Sequence, residues 1–504
     1  MERLSGSLGV PGAHGNSCET AGYFNGVYIR PLWTKFEEVS ASAKEAEDVI
    51  KAFPFRTHSP LPHSSDYLDA FFSTAPQPVF PPNISVEEAK GVAAGCHTHI
   101  QNMFKELADI RPFELLRTTR DRSNYLLTME ARIIALTTTY AAIQHRDILA
   151  LNFKYDNIVM EEAALVTEIE SFIPLTLQKE RGGDNPLQRI VLIGDHHQIP
   201  PIIQNNALKQ MEQSLFARSV RLGVPAVHLD AQGRSRTMIA DLYRWRYRSL
   251  RDLPEVTEND AYLRANAGFR FPFQFINVDD FEGLGESSPS PHFVQNLGEA
   301  EYAVAIYQYM RLLGYPAEKI TILAMYAGQR ALINDVLDQR CAGHPFFGLP
   351  GTLTTVDKYQ GDQNDCILSS SPSLLRVLIV DVILSLVRTK VFGYLRDIRR
   401  WIVAMSRARL GLYVLGRRSL FESCPEIQET WTKLIANGDK LELVSGEMWP
   451  TQRRVLRYDL FTGTDEQVDE VVESSTFEGV EHMGQYVFAM IEKALQEQGI
   501  TQKV

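Results

Sequence analysis

The stretch Ile190-Val-Leu-Ile-Gly-Asp-His-His-Gln-Ile-Pro-Pro201 decides the fold class of this 504-residue chain. Its four apolar residues predict a buried strand, which ends where Gly194 and Asp195 follow. Similar short apolar runs alternate with helical patterns along the chain, which is typical of parallel strands in an α/β sheet. They cover residues 133–136, 158–160, 226–229, 273–276, 320–323 and 412–415. The sequence therefore predicts an α/β fold.

Consistent helix signals occupy residues 296–314. Asn296 is suited to cap a helix with Glu299 three residues later, and Gly314 is suited to end it. Between them, apolar residues recur at helical spacing, namely Ala303, Ile306, Tyr307, Met310 and Leu313. Because the strand at 320–323 follows at once, the segment predicts half of a right-handed β-α-β crossover.

Two adjacent acids, Glu161 and Glu162, follow the apolar run that ends at Met160. Acids at a strand end suit nucleotide hydrolysis, because the first can hold Mg²⁺ and the second can polarise the attacking water. The alternative is an ordinary helix N-terminal turn, where the helix dipole favours acidic residues.

Gln198 is the next candidate, because its amide can both donate to and accept from groups around a γ-phosphate. Pro200 and Pro201 would stiffen the loop that carries it. The pair His196 and His197 suggests a metal site, but no third ligand lies nearby in the sequence.

Three further elements follow in order, namely LDAQGR at 229–234, TTVDKYQG at 354–361 and VAMSRAR at 403–409. Arg234 and Arg407 are candidate clamps on a transferring phosphoryl group, each contributing on the order of 10³ or more in rate. As isolated residues, both would be surface arginines in ion pairs. Their place in the ordered set favours the phosphoryl role.

The series EEAA, GDHHQIPP, DAQGRSR, TTVDKYQG and VAMSRAR resembles motifs II, III, IIIa, V and VI of superfamily 1B helicases. The wording of GDHHQIPPII, MEQSLFARSVRLGVP, DLYRWRY and QNLGEAEY resembles, more narrowly, the Aquarius family of intron-binding spliceosomal RNA helicases. The likeness covers about residues 7–421. It implies two RecA-like parallel-sheet domains of the P-loop NTPase type, with ATP between them and single-stranded RNA across the top.

The resemblance also implies a division of the chain. Residues 1–220 would be the remainder of a truncated first RecA-like domain, with a mainly helical insertion at about 40–121. Residues 221–425 would be the second RecA-like domain, and 426–504 a C-terminal tail that ends in a helix. The proline-rich start of the insertion and the helical pattern near the C-terminus support these boundaries.

Roles for individual residues follow from the same resemblance. Glu161 would be the Mg²⁺ ligand, Glu162 the catalytic base, Gln198 the γ-phosphate sensor, and Arg234 and Arg407 the arginine fingers. Further nucleotide contacts are expected at Gln232, Tyr326, Gln329 and Gly361, although simple packing is the alternative for Tyr326. RNA contacts are expected at Thr137, Thr138, Thr355 and Arg388.

Several departures from the family pattern accompany this resemblance. Glu161 replaces an aspartate, Gly233 an aromatic residue, Gln363 a glutamate and Leu165 a glutamine. No G-x-x-x-x-G-K-[ST] occurs in the chain, which predicts a truncation that removes the phosphate-binding loop and leaves only weak ATP binding.

Residues 369–383 interrupt the motif V region, because joining Leu368 to Leu384 restores one continuous strand pattern. The inserted apolar run 377–380 is itself strand-like and would compete for the same position in the sheet. An unspliced short intron or a wrong gene boundary explains the insertion, and a genuine lineage-specific loop is the alternative.

The net charge of −11 excludes binding of a polyanion through the average field and requires a local basic surface. Residues 388–409 supply seven basic residues against one acid, with a solvated charged face as the alternative. The five scattered cysteines, the absence of a signal peptide and the lack of a bilayer-spanning run predict a soluble intracellular protein.

With the resemblance, these features predict an ATP- and Mg²⁺-dependent RNA helicase of pre-mRNA splicing. It would act in the nucleus on single-stranded intron RNA with spliceosomal proteins. A non-catalytic RNA-binding scaffold on the same fold is the alternative.

Overall fold

The computed structural model describes residues 17–55, 72, 78–179, 186–203, 205–291, 293–359, 381–455 and 473–497. The chain forms two compact units. The first combines Met1–Tyr155 with Leu177–Pro186, and the second combines Asp156–Thr176 with Leu187–Val504. The predicted boundary at residue 220 does not coincide with these units.

The described part of the first unit is helical. Its helices are α1 (Cys18–Phe24), α2 (Arg30–Ala41), α3 (Ala46–Ala52), α4 (Val86–Leu115), α5 (Thr119–Tyr125), α6 (Thr138–Ile143) and α7 (His145–Ala150). The helical region is therefore longer than the predicted 40–121. Helix α4 begins with a capping box. The Ser85 hydroxyl accepts from the Glu88 amide, and the Glu88 carboxylate accepts from the Ser85 amide. Phe24, Phe36 and Phe104 are among the aromatic residues of its core.

Two of the predicted strands do not form. Residues 133–136 have no strand partner in the described chain, and the Ile133 side chain is 89% exposed. Residues 226–229 likewise form no strand, Val227 is 94% exposed, and a two-residue strand follows at 231–232. A short apolar run becomes a strand only where a neighbour supplies hydrogen bonds and cover, and both runs lack these here.

The second unit contains the sheets. Its strands are β1 (Asn157–Met160), β2 (Arg189–Leu192), β3 (Ala231–Gln232), β4 (Arg251–Asp252), β5 (Phe273–Asn277), β6 (Glu286–Ser290), β7 (Phe293–Asn296), β8 (Ile320–Ala324), β9 (Thr352–Thr355), β10 (Asp381–Ser385), β11 (Gly411–Gly416), β12 (Leu441–Val444) and β13 (Ser474–Phe477). Its helices are α8 (Glu168–Leu175), α9 (Leu215–Arg221), α10 (Thr237–Arg244), α11 (Pro254–Glu258), α12 (Asp260–Leu263), α13 (Leu297–Leu312), α14 (Ala327–Arg340), α15 (Val356–Tyr359), α16 (Ile398–Met405), α17 (Arg418–Phe421), α18 (Gln428–Leu434) and α19 (Val480–Glu497).

A five-stranded parallel sheet with the order β5-β11-β10-β8-β9 forms the centre of this unit. Alternate residues along the strands point to opposite faces of the sheet and pack in two different hydrophobic cores. Ile383 faces one core, whereas Val382 and Leu384 face the other. Helix α13 lies against one face, and its predicted cap is confirmed, because the Asn296 side chain accepts from the Glu299 amide. This sheet with flanking helices is a RecA-like domain of the P-loop NTPase type.

The central strand β10 begins at Asp381, inside the predicted insertion. Residues 381–383 of the predicted insertion therefore belong to the sheet. Asp381 is fully buried and accepts from the Asn266 side-chain amide at 3.1 Å. The remaining part of the predicted insertion, 369–380, lies outside the described residues.

The tail after residue 425 is partly built into the second unit. Strand β12 pairs with β13, and helix α19 packs against α13 through Met483, Val487 and Ile491. In the described part of the chain, no helix combines the length and the apolarity that crossing a bilayer requires.

Candidate active site

Strands β1 and β2 pair in parallel, and the loops at their carboxyl ends are joined by backbone hydrogen bonds. The Ala163 amide donates to the Ile193 carbonyl at 2.8 Å. Gly194 is required at this junction, because a Cβ there would lie 2.9 Å from the Ala164 nitrogen. The two sequence segments that carry the candidate acids and Gln198 are thus held side by side.

Glu162 occupies a turn with left-handed backbone, φ +49°. A non-glycine residue adopts this conformation only where the surroundings hold it, and such residues cluster at functional sites. Burial raises the pKa of the Glu162 carboxyl, and the nearby charges of Arg407 and Arg234 oppose that shift. Glu161, in contrast, is exposed. The pair therefore consists of one solvent-facing acid and one partly buried acid near two guanidinium groups.

Arg407 follows helix α16 and is 4% exposed. Its Nε donates to the Val403 carbonyl at 3.2 Å, and its Nη2 donates to Oε1 of Gln198 at 3.3 Å. Burial lowers the pKa of Arg407 to about 10, and the charge of Arg234 acts in the same direction. The structure thus brings together four predicted catalytic residues, namely Glu162, Gln198, Arg234 and Arg407.

Asp195 and Tyr247 complete this cluster, and the sequence did not single them out. The Asp195 carboxylate accepts from Nε2 of Gln198 at 2.9 Å, from the Tyr247 hydroxyl at 2.6 Å and from the His197 amide at 2.8 Å. Asp195 therefore orients the Gln198 amide so that its oxygen faces Arg407. The only sequence signal for Tyr247 is its place in the segment DLYRWRY, and that segment predicts no role for an individual residue.

Gln232 holds the turn that carries Arg234. Its amide oxygen accepts from the backbone nitrogens of Arg234 and Ser235, and its amide nitrogen donates to the Ser235 carbonyl and to Asp252. These four bonds use the full hydrogen-bonding capacity of a glutamine side chain. In this structure Gln232 therefore positions Arg234, and its contact with nucleotide stays a prediction.

Comparison with known proteins places this chain in a family. Residues 55–206 and residues 211–419 each match a family described as AAA domain. RNA helicase aquarius of Mus musculus is 47% identical over 468 residues, which are 90% of this chain and 29% of that protein. The chain belongs to the Aquarius family.

A second relative is more distant but spans nearly the whole chain. Pre-mRNA-splicing factor cwf11 of Schizosaccharomyces pombe is 30% identical over 497 residues, which are 98% of this chain and 35% of that protein. NFX1-type zinc finger-containing protein 1 of Mus musculus is 29% identical over 64% of this chain. The chain spans about a third of the length of the first two relatives.

Two other residues predicted from the Aquarius family resemblance to bind nucleotide are buried instead. Gln329 has no exposed surface, and its amide bonds to the backbone nitrogen and oxygen of Asn296 at 2.7 and 3.0 Å. The Gln329 amide is therefore engaged inside the fold, and its contact with nucleotide stays a prediction. Tyr326 is 8% exposed and packs its ring on Tyr394 with the Arg388 guanidinium above it, which agrees with the packing alternative.

The predicted RNA-contacting residues of this Aquarius family member lie in different settings. Thr137 caps α6 and is exposed, Thr138 begins that helix, and Thr355 is buried at the end of β9. Arg388 follows β10, donates to the Val391 carbonyl at 2.9 Å and lies 3.4 Å from the Glu286 carboxylate. Gly361 and Gln363 lie outside the described residues.

The basic run at 388–409 is largely paired with acids. Arg388, Arg396, Arg399 and Arg400 lie within 4.0 Å of Glu286, Glu426, Asp397 and Asp357, respectively. The nearby acids therefore reduce the net positive charge of this surface and weaken its attraction for phosphates. Individual arginines at fixed positions are the better candidates for RNA contacts.

The side chains near Glu161 and Glu162 show whether this site suits Mg²⁺. In the ranges that the structure describes, no three His, Cys, Asp or Glu side chains converge as a metal cluster. Mg²⁺ in nucleotide sites needs only one or two carboxylates, because phosphate oxygens and water complete its shell. The exposed Glu161 carboxylate beside Glu162 fits that requirement, whereas a site built entirely from protein ligands does not.

Proposed function

We propose that this chain is part of an ATP-dependent RNA helicase or translocase of pre-mRNA splicing. Its RNA would be a single-stranded intron segment, and it would act in the nucleus with spliceosomal proteins. The main support for this proposal is the convergence of Glu162, Gln198, Arg234 and Arg407 in one cluster. The names of two relatives, an RNA helicase and a pre-mRNA-splicing factor, support the biological setting.

Each residue of the cluster has a chemical task in this proposal. Glu161 would hold Mg²⁺, which supplies charge neutralisation on the phosphate oxygens. The Glu162 carboxylate accepts a proton from the attacking water, and the left-handed turn fixes its direction. Gln198 orients groups at the γ-phosphate while Arg407 and Arg234 stabilise the negative charge that develops there.

The electrostatic environment of Glu162 suits a general base. Burial raises its pKa, which strengthens the carboxylate as a proton acceptor, while Arg407 and Arg234 keep the ionised form accessible. The Glu162→Gln variant keeps the shape of the side chain and removes the base. We expect it to abolish RNA-stimulated ATP hydrolysis at millimolar ATP and to leave RNA affinity unchanged. Unchanged turnover would remove the assignment.

A second candidate is an RNA-binding scaffold without catalysis. It is favoured by the sequence, which contains no G-x-x-x-x-G-K-[ST] to cradle the β- and γ-phosphates. Calorimetry with ATP and a fluorescence titration with single-stranded RNA separate the two. RNA binding without hydrolysis by the parent chain favours the scaffold, whereas micromolar ATP binding contradicts the expected weak nucleotide binding.

A further inference from the structure

The turn that carries Arg234 is joined to the segment that follows helix α16. The Arg236 amide donates to the Arg409 carbonyl at 2.8 Å, and the Ser235 hydroxyl donates to the Ala408 carbonyl at 2.7 Å. Ser235 has no exposed surface, so its bond is shielded from water. Two backbone segments that are 173 positions apart in the sequence are therefore fixed to each other beside the candidate active site.

Tyr262, on helix α12, is a third link between these two segments. It is 2% exposed, and its hydroxyl donates to the carbonyls of Gly233 and Arg234 at 3.2 and 3.1 Å. The same hydroxyl accepts from Nε of Arg409 at 2.7 Å, and the Arg409 guanidinium carbon lies 4.8 Å from the centroid of the Tyr262 ring. Because the donor in this last bond is charged, it polarises the hydroxyl and strengthens its bonds to the two carbonyls.

Both peptide groups that flank Arg234 are thereby bonded at both ends. Their N–H groups, those of Arg234 and Ser235, donate to the side-chain oxygen of Gln232 at 2.9 and 2.8 Å. Their C=O groups, those of Gly233 and Arg234, accept from the Tyr262 hydroxyl. Neither peptide plane can rotate unless one of these bonds breaks. Gln232 and Tyr262 therefore hold the backbone of Arg234 from opposite sides.

The Arg234 side chain depends on this support. It is exposed, and its Nη1 donates to the Ser406 carbonyl across 3.4 Å. Burial lowers the pKa of Arg407, and the charge of Arg234 lowers it further. The same charge, with that of Arg407, opposes the rise that burial causes in the pKa of Glu162. The Arg234 guanidinium therefore lies among the charges of the candidate active site, where Arg407 repels it. A long, exposed side chain in that position keeps its direction only if the backbone from which it leaves is fixed.

We propose that Tyr262 is a positioning residue, which together with Gln232 fixes the backbone of Arg234 and thereby aims its exposed guanidinium at the γ-phosphate of ATP. Arg409 supports Tyr262 in this role. The inference rests on the proposed ATP hydrolysis and assigns a role to two residues that act without a nucleotide contact of their own. Without the Tyr262 hydroxyl, the carbonyls of Gly233 and Arg234 lose their partner, both peptide planes can rotate, and the guanidinium moves away from Arg407.

Kinetics of the Tyr262→Phe variant test this role, because the variant keeps the ring and removes only the hydroxyl. RNA-stimulated ATP hydrolysis is measured at saturating RNA for the parent, Tyr262→Phe, Arg234→Ala and the double variant. A positioned arginine acts mainly in the transition state, so kcat should fall by about tenfold or more while the KM for ATP changes by less than about twofold. The double variant should hydrolyse ATP as slowly as Arg234→Ala alone, because Tyr262 acts through Arg234.

Matched variants separate positioning from a general loss of stability. Tyr315 is 1% exposed and its hydroxyl donates to the Ala267 carbonyl at 3.0 Å, so Tyr315→Phe removes a bond of the same kind elsewhere in the unit. It should shift the midpoint of urea unfolding as Tyr262→Phe does and keep the parental kcat. If Tyr262→Phe does not fold, Arg409→Ala serves instead, because Arg409 is partly exposed. Its kcat should fall below that of the parent, and its combination with Arg234→Ala should be no slower than Arg234→Ala alone.

Three results overturn the positioning role. Parental kcat in both Tyr262→Phe and Arg409→Ala would show that the direction of Arg234 does not depend on the hydroxyl. Effects of Tyr262→Phe and Arg234→Ala that multiply in the double variant would show that Tyr262 acts independently of Arg234. An equal fall of kcat in Tyr315→Phe would show that lost stability alone explains the effect.

Failure of the proposed function gives a different result. A parent chain that does not hydrolyse ATP removes the proposed function, and Tyr262 then has no reaction to serve. Parental kcat in Arg234→Ala, by contrast, leaves hydrolysis intact and removes only the role of Arg234, so the inference fails alone.

Discussion

Arg407 donates through Nη2 to Oε1 of Gln198 across 3.3 Å, and this bond connects the end of α16 to the loop after β2. The two residues are 209 positions apart in the sequence. Gln198 reaches Arg407 with its oxygen because its nitrogen is held by Asp195, which is held in turn by Tyr247. The orientation of a candidate arginine finger therefore depends on Asp195, two hydrogen bonds away, and on Tyr247, three hydrogen bonds away.

Tyr247→Phe tests this chain of contacts. The variant removes the hydroxyl that donates to Asp195 at 2.6 Å, so Asp195 and Gln198 lose their fixed orientation. Loss of one hydrogen bond to a charged group costs about 1.5 to 3 kcal/mol, which corresponds to a fall in kcat of about tenfold or more. Steady-state hydrolysis at saturating RNA measures the effect. Tyr486→Phe is the control, because its ring contacts Tyr309 and Phe477 instead. Equal kcat in the parent and in Tyr247→Phe would contradict the assigned orientation.

Gln232→Ala distinguishes a positioning role from nucleotide binding. Gln232 bonds to the Arg234 turn through four hydrogen bonds, so its loss should disorder Arg234. We expect kcat to fall by about tenfold or more, while the KM for ATP changes by less than about twofold. The comparison is made with Arg234→Ala, which should reproduce the effect without adding to it. A large rise in KM with unchanged kcat would favour the predicted nucleotide contact.

The pH dependence of stability should report the buried carboxyl of Glu299. Burial raises its pKa in the folded protein to about 7, from an ordinary value of 4.5, although hydrogen bonds from Ser385 and Val387 oppose the shift. The folded state then binds this proton more tightly than the unfolded state. Stability from this group is therefore complete below pH 4.5 and is lost as the pH rises through about 7.

The Glu299→Gln variant should abolish this loss. Relative to that variant, the parent should lose about 3 kcal/mol of unfolding free energy between low pH and slightly alkaline pH. Urea unfolding at a series of pH values measures the difference. Glu318→Gln changes an exposed acid and serves as the control. A constant difference between the parent and Glu299→Gln at all pH values would show that the buried carboxyl does not titrate.

The sequence allowed prediction of those features that depend on local pattern and motif order. Gln198 and Arg407 were predicted because each stands in a recognisable motif, and the structure brings them together. Tyr247 could not be assigned, because its partner Asp195 lies 52 residues away and nothing local marks the pair. The burial of Gln329 could not be predicted for a related reason. A polar residue after a strand resembles a ligand until its burial is known.

Strand prediction failed for a different physical reason. The runs 133–136 and 320–323 look alike as sequences, yet only the second has partners on both sides, in β9 and β10. Strand formation depends on neighbours that are distant in sequence, and a short apolar run does not encode them. The insertion boundary has the same limit, because the sequence alone does not show which apolar run occupies the position of strand β10 in the sheet.

Removal of residues 369–383 tests that boundary directly. The deletion joins Leu368 to Leu384, so Cys366, Ile367 and Leu368 replace Asp381, Val382 and Ile383 in strand β10. The two apolar positions are kept, and a small apolar cysteine replaces a buried carboxyl whose pKa burial raises to about 7. We therefore expect a folded protein whose unfolding free energy lies within about 2 kcal/mol of the parent, measured by urea unfolding. Its stability should also depend less on pH, because Asp381 no longer titrates. A deletion that prevents folding would identify residues 369–383 as an integral part of the domain, and transcript reads that retain the block would support the same conclusion.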